Sequence, residues 1–339
     1  MPTNRSYALD LLRILATAMV LTVHTGQTAG LDSATCLGAN GVLLFFIMSG
    51  YLAENGLQKA PGALGYYKRR AARILPLYWL VLAVRWMYDL ALDLQAMPLA
   101  DVLRGPCGLR YLRYPFFLQM VIPSEDWMLW DNRNALWTMS AFAFFYLLAP
   151  LLHKLIRSFY ASFALLLVCL FGKGFIGIMI EKALAGYPAA ANISEFSAKT
   201  PLMVLYCFLF GVTLCHALRE GGYKPCLYAA FCLLLPALFG FEKCAYEGAF
   251  TVLLLAAVRC PAAAFAGWPG WLRRAVAFLS DGSFFLYLAH PMLLGLLPAA
   301  GGSWGYFILV FAGVAAVCYL LYGLVVRRFA GLFTRRRQA

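Results

Sequence analysis

Ten apolar stretches, most near the roughly 20 residues with which a helix crosses a bilayer, constrain this chain more than any other feature. They lie near residues 6–26, 36–57, 74–92, 134–153, 158–180, 201–217, 225–241, 247–265, 281–299 and 305–325. Within lipid, every backbone N–H and C=O must find a partner inside the protein, and a helix does this within its own segment. The charge content agrees. Only 13% of the 339 residues are charged, against about 25% in soluble domains, and the mean hydropathy is +0.74. Too few charges remain to clothe a soluble surface of this size, which excludes a soluble enzyme, a disordered chain and a simple secreted domain. The expected fold is an all-α integral membrane protein of about ten transmembrane helices. The domain expectation is a single membrane domain over 5–330 and a short basic tail over 331–339.

The net charge of +13 would suggest nucleic acid in a soluble protein. Here it reads as the cationic bias of cytoplasmic loops, and no nucleic-acid partner is expected. With a cytoplasmic N-terminus, 18 Lys and Arg fall on the inner side, including Lys68, Arg69, Arg70, Arg73 and Arg335 to Arg337. Seven fall on the outer side, among them Arg104, Arg113, Arg133 and Lys243, while Arg13, Arg85 and Lys173 lie in or beside spans. The split predicts both termini inside and an even span count. Asp10 and Arg13 interrupt the first run and no A-x-A cleavage site follows, so it reads as a retained span rather than a signal peptide. The outer stretch 94–133 contains a short apolar run, Tyr114 to Leu118, that reads as interfacial or re-entrant. No C-x-x-C pair occurs among the ten cysteines, which read as small buried hydrophobes rather than a disulfide framework or zinc site. No metal and no resident cofactor are expected. Asn192-Ile193-Ser194 matches the short glycosylation pattern.

Ionisable residues inside a span are costly and mark function. The first run holds Asp10, Arg13 and His24. Arg13 and His24 are 11 residues apart, about 20° from a whole number of turns, so they share a helix face about 16 Å apart along the axis. Asp10, one turn before Arg13, can pair with it. A snorkelling Arg and a structurally satisfied His are the plain alternative. The second cluster, Lys68-Arg69-Arg70-Ala71-Ala72-Arg73, sits at the inner mouth of the third run. It suits either topology or phosphate binding, because guanidinium forks match phosphate oxygens. The third is His290, near the middle of its run and followed by Pro291, which removes a backbone donor and frees a carbonyl nearby. His153 and His216 stand at inner span ends and read as interfacial.

In order along the chain, five blocks carry a resemblance: Leu9-Asp10-Leu11-Leu12-Arg13 with His24; Phe45-Phe46-Ile47-Met48-Ser49-Gly50-Tyr51; Arg70-Ala71-Ala72-Arg73-Ile74-Leu75-Pro76; Leu136-Trp137 with Tyr146 and Pro150; and Ser283 to Tyr287, His290 and Pro291. Together they resemble the acyltransferase-3 family of integral membrane acyltransferases, which modify surface glycans and related molecules. Many members carry carboxylates between the Trp and the Tyr of the fourth block, whereas Thr138 to Phe144 has none. The resemblance implies an acyl-CoA donor, taken as acetyl-CoA, and a hydroxyl acceptor on a carbohydrate or lipid-linked glycan. The setting it implies is the bacterial inner or plasma membrane, crossed many times. His24 would be general base or acyl carrier, with Arg13 and Asp10 beside it and His290 as second base or orienting group. Arg69, Arg70 and Arg73 would hold donor phosphates. Ser49, Trp137, Tyr146 and Tyr287 are candidates for steadying an oxyanion. A transporter or flippase with an intramembrane His/Arg relay is the alternative reading.

Overall fold

A computed structural model describes residues 5–59, 62–105, 107–122, 136–186, 193–239 and 244–327. Arg133, Asn192, Lys243 and the basic tail over 331–339 lie outside the described residues. All regular structure among the described residues is helical, as the apolar runs predict. The main helices are α1 (Tyr7–Ala29), α3 (Gly41–Lys59), α4 (Ala63–Ala96), α6 (Trp137–Leu155), α7 (Phe159–Leu184), α9 (Leu205–Glu220), α10 (Lys224–Phe239), α11 (Ala245–Arg259), α12 (Gly270–Gly295) and α13 (Trp304–Leu321). Shorter helices are α2 (Asp32–Thr35), α5 (Leu99–Arg104) and α8 (Ile193–Lys199).

Each of the ten apolar runs falls on one of the main helices. Seven segments among the described residues are long and apolar enough to cross a membrane: Tyr7–Ala29, Asp32–Lys59, Ala63–Ala96, Trp137–Leu155, Phe159–Leu184, Gly270–Gly295 and Trp304–Val326. The other three runs form helices of 16, 16 and 15 residues, about 22–24 Å each against a hydrocarbon core of about 30 Å. The shortening is clearest in α9. Turns occupy Thr200 to Val204, and every residue from Leu205 to Ala217 is buried. A helix that is apolar all round and enclosed by protein need not match the lipid thickness.

The chain divides into two compact units, residues 1–42 with 253–339, and residues 43–252. In the first unit α1 packs on α12 and α13. Its buried face, Ala8, Leu12, Ala16, Val20 and Val23, follows the helical period. Ser6 caps the start, its hydroxyl accepting from the Leu9 N–H at 3.4 Å. Gly30 ends it in the left-handed conformation, φ 71°. Beyond this cap, the Ala300 and Gly302 amides donate to the Thr28 and Ala29 carbonyls at 2.9 Å each, which ties the α12–α13 connection to the end of α1.

In the second unit α3 and α9 cross at glycines. A Cβ on Gly50 would lie 1.9 Å from the Phe208 carbonyl oxygen, and one on Gly211 would lie 1.9 Å from that of Ile47. Small residues of this kind let two membrane helices approach backbone to backbone. The third apolar run extends further than the sequence suggests. α4 runs 34 residues through Pro76, so the basic cluster lies on the helix itself. The connection after α4 folds back on it. Trp86 and Trp79 donate from their indoles to the Cys107 and Pro115 carbonyls at 2.9 and 3.1 Å, and Tyr78 donates to the Tyr114 carbonyl at 2.9 Å. In the other direction, Tyr111 donates to the Leu82 carbonyl at 2.7 Å. Tyr114 is buried there, with a 3-10 turn over Leu109–Arg113 before it.

Candidate active site

In the first unit α1 and α12 bring the predicted ionisable residues together in two groups. The first is built on Asp10, whose carboxylate is 1% exposed. It accepts from Arg5 Nε at 2.5 Å, Arg13 Nη1 at 3.0 Å and Ser280 Oγ at 2.7 Å. The predicted Asp10–Arg13 pair therefore forms, inside a larger network. Arg5 also grips Asp281 through both terminal nitrogens, at 2.9 and 3.1 Å, and donates to the Ala277 carbonyl at 3.0 Å. Burial opposes the Arg5 charge, but its hydrogen bonds to Asp281 and Asp10 outweigh that and raise its pKa above the usual arginine value. Arg5, Ser280 and Asp281 were not among the predicted site residues. Their signal in the sequence is slight: one cation before the first helix and a Ser-Asp pair just ahead of the fifth block.

The second group is a pair of imidazoles. The His24 and His290 rings lie 5.2 Å apart, tilted by 34°. His24 is half-buried, and its Nδ1 meets Gln27 Oε1 at 3.1 Å. His290 is 1% exposed, and its Nδ1 donates to the Leu286 carbonyl at 3.0 Å. A carbonyl can only accept, so the proton of a neutral His290 sits on Nδ1 and Nε2 carries the lone pair. That Nε2 is buried with no hydrogen-bond partner among the described residues. Tyr287 lies in the same unit, its ring 6.0 Å from that of His290.

The second unit holds the other predicted residues, and it joins only some of them. On α4 the Arg70 guanidinium stands over two tyrosine rings, 5.3 Å from the centre of Tyr66 and 4.7 Å from that of Tyr146. Tyr146, on α6, donates its hydroxyl to Ser49 Oγ on α3 at 3.3 Å. Arg70, Tyr146 and Ser49 thus form one group. Arg69 and Arg73 are exposed and stay outside it. Trp137 also stands apart, about 14 Å along α6 from Tyr146. It packs edge-on against Phe46 at 5.9 Å and against the Met120–Phe196 cluster.

Two further ionisable clusters in this unit were not predicted. Glu54 on α3 is 2% exposed and meets His153 Nδ1 at 3.0 Å, Gln58 Nε2 at 2.9 Å and His216 Nε2 at 3.4 Å. Arg219 donates to His216 Nδ1 at 2.6 Å. The expectation that these histidines are interfacial is corrected here. His216 is fully buried, and both imidazoles turn inward because a buried carboxylate needs donors. The second cluster sets Lys173 Nζ 4.2 Å from the centre of the Tyr206 ring, while Tyr206 donates to Glu247 at 2.6 Å. Its signal was available, since Lys173, Glu54 and Glu247 are charges within apolar runs. No group of three or more His, Cys, Asp or Glu among the described residues could hold a metal ion.

No solved structure matches. Acyltransferase MdmB of Streptomyces mycarofaciens is 25% identical over 80% of this chain and 72% of its own length. Nodulation protein 10 of Rhizobium leguminosarum bv. viciae is 24% identical over 93% of this chain and 91% of its own. A family model described as an acyltransferase domain matches residues 6–323, which takes in α1 through α13 and every ionisable residue described above except Arg5. The chain belongs to the acyltransferase-3 family, and it is a multi-pass membrane acyltransferase.

Proposed function

We propose that residues 5–330 act as one domain that moves an acetyl group from acetyl-CoA to a hydroxyl of a carbohydrate or lipid-linked glycan. The setting is a bacterial cell membrane crossed ten times, with both termini cytoplasmic. The observation that carries the chemistry is the contact between half-buried His24 and fully buried His290. The Gln27 amide oxygen accepts a hydrogen bond from Nδ1–H of neutral His24, which leaves the Nε2 lone pair as the base. His24 then removes the proton of the acceptor hydroxyl as its oxygen attacks the thioester carbonyl. The C–S bond breaks as the tetrahedral centre collapses, and the proton on His24 passes to the departing thiolate. His290 presents its own lone pair beside His24, which favours the protonated His24 formed midway.

Asp10 fixes the Arg13 guanidinium through a charged hydrogen bond, so Arg13 is a positioned cation on the His24 face. Arg70 is the arginine of the basic cluster with a defined seat, and it holds a donor phosphate, while exposed Arg69 and Arg73 add attraction at longer range. Tyr287 lies on the His290 side and is the leading candidate for steadying the oxyanion; Ser49 and Tyr146 share the Arg70 group.

Purified protein incubated with acetyl-CoA, with surface glycans compared by mass spectrometry between cells carrying and lacking the gene, tests this reading. It predicts thiol release from acetyl-CoA that depends on acceptor, and a glycan that loses its acetyl ester when the gene is absent. Glycans of unchanged mass would contradict the acceptor class, and absence of thiol release would contradict the donor.

A further inference from the structure

Pro291 lies inside α12 and is buried, as are Leu286, Tyr287 and His290 just before it. A proline at that point removes the N–H that would bond the carbonyl four residues earlier, which is that of Tyr287, and its ring crowds the same carbonyl. Within a span, a carbonyl freed in this way needs another donor, and a nearby side chain can supply it. Here the donor is the imidazole next to the proline. His290 Nδ1 donates to the Leu286 carbonyl at 3.0 Å, and the Tyr287 carbonyl engages the same ring. Nε2 is buried with no hydrogen-bond partner among the described residues, so both contacts belong to Nδ1. The Leu286 carbonyl also stands four residues before His290, in register with that residue's own backbone N–H. The Tyr287 carbonyl is the acceptor that the proline adds.

The consequence falls on His24, whose ring is 5.2 Å from that of His290. With two carbonyls at Nδ1, the proton of a neutral His290 stays there and Nε2 keeps its lone pair. With the proton on Nε2 instead, that lone pair would become an N–H and would oppose the imidazolium formed on His24 during transfer. We propose that Pro291 is a positioning residue: by freeing the Tyr287 carbonyl it locks His290 in the Nδ1–H form, and so keeps a lone pair beside the base. The proposal rests on the reading that His24 is that base.

Protein carrying ¹⁵N-labelled histidine in nanodiscs, assayed in parallel for acyl transfer, tests it. Only four histidines contribute to the spectrum, and the signals lost in His290→Gln identify His290. Wild-type protein should show His290 as Nδ1–H. In Pro291→Ala, residue 291 regains an N–H that takes the Tyr287 carbonyl. The Nε2–H form should then gain about 2- to 13-fold, the loss of one neutral hydrogen bond. The kcat should fall by a similar factor with KM for donor and acceptor unchanged. The unfolding temperature should hold or rise, because Ala suits a helix better than Pro. An Nε2–H form in the wild type, or an unchanged tautomer ratio or kcat in Pro291→Ala, would overturn the proposal. A Pro291→Ala protein less stable than the wild type would overturn it too, since it would show a proline that the fold itself needs. Each of these results leaves the base reading intact if His24→Ala, assayed alongside, is inactive. Folded His24→Ala protein that still transfers would sink the base reading, and the role of Pro291 in transfer with it.

Discussion

Asp10 shows how a single side chain can organise a site. It is a buried carboxylate that accepts from Arg5, Arg13 and Ser280, so its negative charge is balanced within the protein rather than by water. Asp10→Asn keeps the size and one acceptor oxygen but removes the charge, and it leaves Arg5 paired with Asp281. The expected loss is about 1–3 kcal/mol of stability, read as a lower unfolding temperature in detergent, with acyl transfer reduced because Arg13 loses its anchor. An unchanged unfolding temperature would show that the network is not holding α1 to α12. The Asp10–Arg13 pair was legible in the sequence because both residues lie within one turn of one helix. Arg5 and Asp281 were not, because their approach is set by the packing of α1 on α12, which spacing along the chain does not encode. The same holds for His24 and His290. Each was visible as a lone deep histidine, and only the helix contact makes them a pair.

At the scale of elements, length and apolarity located ten helices and missed how three of them end. α9, α10 and α11 stop at 16, 16 and 15 residues; for α9, buried from Leu205 to Ala217, enclosure by protein removes the lipid's demand for a fixed length. The reverse difference appears at α4. The third run reads from residue 74 with the basic cluster at its inner mouth, and the helix starts at Ala63 and carries Lys68, Arg69, Arg70 and Arg73. That continuity gives Arg70 its chemistry. Placed on a helix turn after Tyr66 and facing Tyr146, it is seated between rings, while Arg69 and Arg73 stay exposed. Trp137 was expected in the same company. It sits instead at the start of α6 among Phe46, Met120 and Phe196, because nine residues of helix separate it from Tyr146. Glu54 went unread although it is a charge within an apolar run, and only the packing of α6 and α9 supplies the His153 and His216 beside it.

For the whole molecule, the distribution of Lys and Arg across the connections, 18 against seven, predicts both termini on the cytoplasmic side. Reporter fusions after residues 62, 190 and 339 should place 62 and 339 in the cytoplasm and 190 outside; a reporter at 339 found outside would contradict the even span count. The central claim is that His24 is the base of an acyl transfer inside the membrane. His24→Ala, purified and assayed with acetyl-CoA and acceptor, tests it most directly. The account predicts a variant that inserts, purifies and unfolds like the wild type but transfers about 10²- to 10⁴-fold more slowly, with His290→Ala keeping more activity than His24→Ala. Folded His24→Ala protein that transfers within about threefold of the wild-type rate, well short of the loss of a general base, would contradict it.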